Sequence, residues 1–309
     1  MTSLAYHLRA NKAVDRLMLI ETLRRVGRPN EIAQYTYYGF GGAYLEEFRL
    51  LHDYFPELPL VSIEVNKEII KRQDFHRPCE NINLKSVSFK EFLTTYNSSD
   101  MKSIFWLDNT GASYGHFEDF ITLVGRVAAG SIIKITLSAN HGTVRSDGFQ
   151  SRFRGLIPAT QRRLPINHLE AAVYLQGMLK IAAQRAFERA SGFIFQPIAS
   201  FYYDDSSPML TLTGMVVPPA EVDQTRRLFD SWQFANLNWA APRLIDMPVL
   251  TAKERLHLQR FLPTGADAGR ILFEQLNYCT EDNEAETIAK LQQYSEFYRY
   301  YPLFIRAIP

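Results

Sequence analysis

The sequence predicts an α/β fold: a seven-stranded, mostly parallel sheet that closes with an antiparallel hairpin, followed by a small helical C-terminal appendage. Three observations lead there. Between residues 35 and 138, five short β-rich runs alternate with segments of helical apolar spacing. Strands separated by helices need crossover connections and therefore pair in parallel. Two longer β-rich runs, 193–203 and 209–217, are joined by Asp204-Asp205-Ser206-Ser207-Pro208, turn chemistry that makes them a hairpin. Apolar residues make up 46% of the 309, enough to build a full core, so disorder is not expected.

The elements follow in order. Residues 11–27 read as an amphipathic helix, with Val14, Leu17, Met18, Ile20, Leu23 and Val26 on one stripe; Gly27 and Pro29 end it. Residues 35–39 are a strand that runs into glycine. A helix over 43–55 places Phe48, Leu51 and Phe55 on one side. Strand 60–64 leads into helix 66–73, strand 83–88 into helix 89–96, strand 103–108 into helix 116–128, and strand 131–138 completes the series. Residues 140–166 carry Arg145, Arg152, Arg154, Arg162 and Arg163, with Asp147 as the one acid. They are expected to form a long loop, and a loop of that length is often functional. A helix restarts at Asn167, with Glu170 three residues on, and runs to about Ala190. After the hairpin, a helix follows Pro248 through a Thr251-x-x-Glu254 capping box, and another spans about 284–300. The expected organisation is a helical segment at 1–30, an α/β domain at 31–219 and a mostly helical appendage at 220–309.

Composition narrows the function. Net charge is +1, so any contact with nucleic acid must come from a local cluster. Two cysteines, Cys79 and Cys279, lie far apart and form neither a disulfide framework nor a cysteine zinc site. The seven histidines lack metal-ligand spacing, and neither a phosphate-binding Walker loop nor a Gly-x-Ser-x-Gly elbow occurs. No apolar run reaches the roughly 18 residues of a membrane helix, and the first residues do not read as a secretory signal. A cytoplasmic protein without membrane association is expected.

One constellation carries chemistry. Gly39-Phe40-Gly41-Gly42 follows the first strand and opens a helix, where glycines permit a tight turn and close approach of a ligand. Tyr44 stands where a dinucleotide fingerprint has its third glycine, which disfavours NAD. Glu64 ends the second strand, placed to accept ribose hydroxyls, and Asp108 ends the fourth. Ligands of open α/β sheets sit outside the carboxyl ends of the strands, so Gly39, Glu64 and Asp108 converge on one crevice. Each also has a plainer reading, as a turn or as a solvent-facing acid. His116 and His141 follow the fourth and fifth strands as candidate general bases, or as half-buried polar residues. Arg152, Arg154, Arg162 and Arg163 could contact phosphates, or be ordinary surface charge.

Residues 35–217 resemble class I S-adenosylmethionine (SAM) methyltransferases. More narrowly, Leu8-Arg9-Ala10-Asn11-Lys12-Ala13-Val14-Asp15-Arg16, Tyr38-Gly39-Phe40-Gly41-Gly42, Val61-Ser62-Ile63-Glu64 and Trp106-Leu107-Asp108 resemble a group of bacterial proteins of similar length described as O-methyltransferases. The resemblance implies a Rossmann-like sheet and SAM as cofactor. Gly39, Phe40, Gly41 and Gly42 would shape the methionine end of its pocket, Glu64 would hold the ribose, Ser88 would lie near the adenine, and Asp108 would line the reaction centre. Two departures stand out. Tyr37 replaces the acid usual two residues before the first glycine, and Ser88 replaces the acid usual after the third strand. Asp108-Asn109-Thr110-Gly111 lacks the Pro-Pro-aromatic signature of amino-methylases of DNA bases, and neither cysteine is placed for cytosine C5 chemistry. The expected function is methyl transfer to an oxygen or nitrogen acceptor whose identity the sequence does not give. The alternative is a catalytically inactive binding module in a protein or nucleic-acid complex.

Overall fold

In the computed structural model, which describes residues 9–97, 101–161, 163–187 and 192–302, the alternation resolves into one sheet and its covering helices. The strands are β1 (Thr36–Gly39), β2 (Leu60–Glu64), β3 (Ile82–Ser86), β4 (Ser103–Asp108), β5 (Ile132–Ser138), β6 (Ile194–Asp204), β7 (Pro208–Val217) and β8 (Arg243–Ile245). The helices begin with α1 (Ala10–Val26), α2 (Pro29–Ile32), α3 (Glu46–Tyr54), α4 (Lys67–His76), α5 (Phe89–Thr95) and α6 (Tyr114–Val124). They continue with α7 (His141–Arg145), α8 (Asp147–Phe153), α9 (His168–Ala186), α10 (Val222–Arg227), α11 (Ala252–Gln259), α12 (Ala268–Leu276) and α13 (Glu284–Phe297).

The strand order is β3-β2-β1-β4-β5-β7-β6-β8. β1 pairs in parallel with β2 and β4, β2 with β3, and β4 with β5. β7 runs antiparallel to β5, with Ser138 opposite Met209 and Ile132 opposite Met215. The sheet therefore has the expected mixed α/β form, with eight strands rather than seven. The extra strand, β8, is Arg-Leu-Ile next to Pro242, too short to show alternation.

The chain divides into two compact units, Leu19–Tyr202 with Ser207–Arg243, and Met1–Met18 with Tyr203–Ser206 and Leu244–Pro309. In the larger unit, one face of the sheet presents Phe105, Leu107, Ile133, Ile135, Leu210 and Leu212 to side chains of α5, α6 and α9, among them Phe92, Phe117, Phe120, Leu175 and Leu179. Tyr38 stacks on Phe105 with ring centroids 4.6 Å apart, and Phe92 and Tyr96 close the cluster. In the smaller unit, the first turn of α1 is anchored by Asp205, whose carboxylate accepts from the Asn11 and Lys12 amides at 3.2 and 2.9 Å. Asn11 in turn accepts from the Met247 amide at 2.8 Å. There α12 approaches α13 closely, because a Cβ on Gly269 would lie 2.3 Å from the Ile288 carbonyl.

Residues 140–166 are not the long loop expected. Asn140 caps α7 by accepting from the Thr143 amide, and Ser146 ends α7 and caps α8 by accepting from the Phe149 amide. Val144, Phe149 and Phe153 are buried, so two short helices are held by caps and by the core. Among the described residues, no helix is long and apolar enough to cross a membrane.

Phe105 is fully buried at the centre of the ring cluster, whereas Phe75 on α4 is 86% exposed. Phe105→Ala is expected to cost about 3–5 kcal/mol in urea denaturation, and Phe75→Ala about 0.5 kcal/mol or less.

Candidate functional site

The parallel register assembles the site. Gly39 lies opposite Ser62 on one side and Trp106 on the other. Glu64 and Asp108 each lie two residues further along their strands, so both flank the turn that follows β1. Two strand spacings separate them, roughly 10 Å. Both side chains are half-buried.

The turn is built for close approach. Gly41 and Gly42 adopt φ of +70° and +53°, and Leu45, just before α3, adopts +54°. A Cβ on Gly41 would sit 2.5 Å from Leu45 Cδ2, whereas one on Gly42 would meet nothing within 4 Å. The backbone at Gly42 is thus open to a ligand. The Gly41 amide donates to Glu47 Oε1 at 3.0 Å, and both Glu46 and Glu47 sit in the first turn of α3. Carboxylates there match the positive end of the helix and take the place an anionic ligand would need.

A buried clamp fixes the turn from behind. Gln73 on α4 is fully buried, and its Nε2 donates to the carbonyls of Phe40 at 3.0 Å and Gly42 at 2.7 Å. The Ser62 hydroxyl donates to Gln73 Oε1 at 2.9 Å. Glu64 Oε1 accepts from the Asn66 amide at 2.7 Å, and Asn66 caps α4. The carboxylate is thereby oriented by the loop it starts.

The remaining expected residues fall as follows. Tyr37 is buried; its ring packs edge-on against Phe48, and its hydroxyl lies against Gly39. Ser88 caps α5: its hydroxyl accepts from the Glu91 amide, and the Glu91 carboxylate accepts from the Ser88 amide and hydroxyl. These bonds lower the Glu91 pKa. Phe40 and Phe89, half-buried and 5.5 Å apart edge to face, border the turn with apolar surface. His116 Nδ1 accepts from the Ser113 amide at 3.2 Å, a capping role, and burial lowers its pKa.

His141 is engaged differently. Its Nδ1 lies 3.2 Å from Nδ1 of His168, the first residue of α9, and the rings cross at 66°. His168 Nδ1 also accepts from the His141 amide at 3.3 Å. With His168 Nδ1 an acceptor, the proton of the pair belongs on His141 Nδ1. That tautomer, assigned from the hydrogen-bond network, leaves His141 Nε2 as a lone-pair nitrogen.

Arg152, Arg154 and Arg163 are exposed, and Arg145 donates to the Pro165 carbonyl at 3.3 Å; Arg162 lies outside the described residues. Among the described residues, no group of three or more His, Cys, Asp or Glu is placed to hold a metal ion. Sequence reasoning missed Glu47, Gln73 and His168. Only Glu47, an acid in a first helical turn, left a signal.

A family model described as "Putative O-methyltransferase" matches residues 4–309. No curated protein sequence matches. Among solved structures, the N-methyltransferase NodS from Bradyrhizobium japonicum WM9 aligns at a TM-score of 0.40 and 11% identity, over 66% of this chain and 97% of that one. The plantazolicin methyltransferase BpumL, in complex with SAH, aligns at 0.41 and 11% identity, over 66% and 84%. An O-methyltransferase family protein from Burkholderia thailandensis aligns at 0.36 and 12% identity, over 68% and 59%.

The two turn glycines separate experimentally. Gly41→Ala combines a left-handed backbone with a contact of 2.5 Å and is expected to cost about 2 kcal/mol or more. Gly42→Ala carries the backbone term alone, about 1 kcal/mol. Chemical denaturation of both variants reads the difference.

Proposed function

The chain belongs to the O-methyltransferase family matched over residues 4–309, and from that premise we propose that it transfers a methyl group from SAM to the hydroxyl oxygen of an acceptor. The observation that carries the cofactor reading is the Gly41–Glu47 bond. A pyrophosphate-binding turn keeps such amides for its anion. Here a carboxylate already takes one, so the turn suits a nucleoside that carries no phosphate and bears positive charge. SAM meets both conditions. When bound, it supplies a sulfonium-activated methyl group.

The residues then take distinct parts. Gly42 lets the backbone meet the amino-acid portion, Glu64 accepts from the ribose hydroxyls, and Phe40 and Phe89 offer apolar contact to the adenine. Asp108 lines the reaction centre. His141 Nε2 takes the acceptor's hydroxyl proton as the oxygen attacks, and His168 holds the imidazole in the tautomer that makes this possible. A hydroxyl oxygen is a poor nucleophile until that proton leaves, which is why the histidine pair favours oxygen over an amine already neutral at nitrogen. Exposed Arg152, Arg154 and Arg163 suit an acceptor that carries negative charge.

Calorimetry with SAM tests the cofactor. Wild type is expected to bind, and Glu64→Ala to bind about ten- to a hundredfold more weakly, as for a lost hydrogen bond to a charged group. Absence of wild-type binding at millimolar SAM would remove the cofactor reading.

The base is tested with radiolabelled SAM and a panel of phenols, catechols and hydroxy acids. His141→Gln should lower kcat about a hundredfold or more with unchanged SAM affinity. Full turnover by this variant would exclude His141 as base. SAM binding with no turnover of any acceptor would instead return the binding-module reading.

A further inference from the structure

The larger unit holds a concavity lined by none of the glycine-turn residues. A cavity of about 460 Å³ is lined by Pro158, Thr160, Gln161, Gln176, Lys180 and Trp239, among others. An adjoining cavity of about 360 Å³ shares Lys180, Gln184 and Trp239 and adds Phe187, Phe193 and Phe195. Both volumes fall within the usual range for small-molecule sites. Val173, Gln176, Gly177, Lys180, Ile181 and Gln184 form one stripe along α9, while Leu175, Met178, Leu179 and Ala182 of the same helix face the core.

Its position is fixed by α9 and β6. His168 stands beside His141, past the carboxyl end of β5. Lys180 lies twelve residues on, ~18 Å along the helix axis at 1.5 Å per residue. Phe195 packs against Gly214, which is paired with Ile133 near the amino end of β5. The concavity therefore opens towards the opposite edge of the sheet from Gly39, Glu64 and Asp108.

Its wall is deliberately held. Trp239 adopts a left-handed φ of +58°, a conformation that bulky residues rarely occupy without over-determined surroundings. Those surroundings are present. Buried Gln176 donates to the carbonyls of Trp239 at 3.3 Å and Ala240 at 2.6 Å. Asn236 exchanges two bonds with Ala240, and Gln196 and Arg226 both donate to the Leu237 carbonyl. Packing alone does not account for this, because the indole stays half-exposed, tilted 6.0 Å from Phe195. Across the cavity, Gln161 Oε1 is buried without a hydrogen-bond partner. Its amide lies over Gly177, where a Cβ would come within 2.6 Å. Lys180 is the one ionisable side chain among the described lining residues of both cavities.

We propose that this concavity is a second ligand-binding site, for a flat aromatic molecule that carries one anionic group. The ring would lie on Trp239 and the phenylalanines, and the anion at Lys180. The distance from the glycine turn makes it separate from the crevice assigned to SAM, and it stands whether or not SAM binds.

The probe is 6-hydroxy-2-naphthoate, with 2-naphthol as a comparator that lacks the anion. Trp106 and Trp232 are buried, so ligand-dependent change in tryptophan emission reports chiefly on Trp239, and calorimetry gives the affinity. Wild type is expected to bind the naphthoate saturably. Lys180→Gln should weaken it about tenfold and leave 2-naphthol unchanged, and Trp239→Leu should abolish both. Gln184→Phe, which fills the shared wall from an exposed position, gives the same loss should Trp239→Leu fail to fold. Glu64→Ala should bind the naphthoate as wild type does. No saturable binding by wild type, equal binding by Lys180→Gln, or loss with Glu64→Ala would overturn the proposal.

Discussion

The parallel pairing of β1 between β2 and β4 is the constraint on which the rest of the site depends. In a parallel sheet all carboxyl ends point one way, so residues at strand ends meet without any further design. Gly39, Glu64 and Asp108 come from segments up to 69 positions apart in sequence, yet the register leaves only strand spacings between them. The antiparallel β7 extends the same logic. It places the start of β7 beside the end of β5.

Placement of backbone is not yet a binding site, and the glycine turn shows what more is required. A turn with two successive positive φ values exposes its carbonyls and would be mobile if left to water. Burying Gln73 against it converts a helix side chain into a backbone partner. Such a buried amide is tolerated only when its donors and acceptor are satisfied, and the Phe40, Gly42 and Ser62 contacts do so. The turn's geometry is therefore coupled to α4, and through Asn66 and Glu64 to the end of β2. One local network serves shape and orientation together.

This division explains what could be read from the sequence. The strands of the parallel series were legible because their signals are local: short apolar runs, glycine at the ends, helical spacing between. β8 was not, since three residues beside a proline carry no periodicity. The segment of α7 and α8 reads as loop because arginines dominate its composition. Their stability comes from Asn140 and Ser146 as caps and from Phe149 and Phe153 one helical turn apart, signals present in the sequence but outweighed. Gln73 reads as an ordinary surface residue of a charged helix, and only the fold reveals it at the core. His168 is invisible as a partner for His141, because the two are 27 residues apart and meet only because α9 begins beside the segment that follows β5.

The same comparison bears on the departures from the methyltransferase pattern. Tyr37 stands where an acid is usual, but its ring is buried against Phe48, so no ligand-facing carboxylate arises there. Glu47, in the first turn of α3, brings a carboxylate to the same turn, bonded to the Gly41 amide. A carboxylate displaced from the strand to the helix keeps negative charge beside the turn while altering its direction. Ser88 is a different case. Its hydroxyl is engaged with Glu91, which brings a carboxylate to the loop after β3 through a capping box. In both places a carboxylate stands within a few residues, on the following helix. A motif defined by position registers such a shift as a loss.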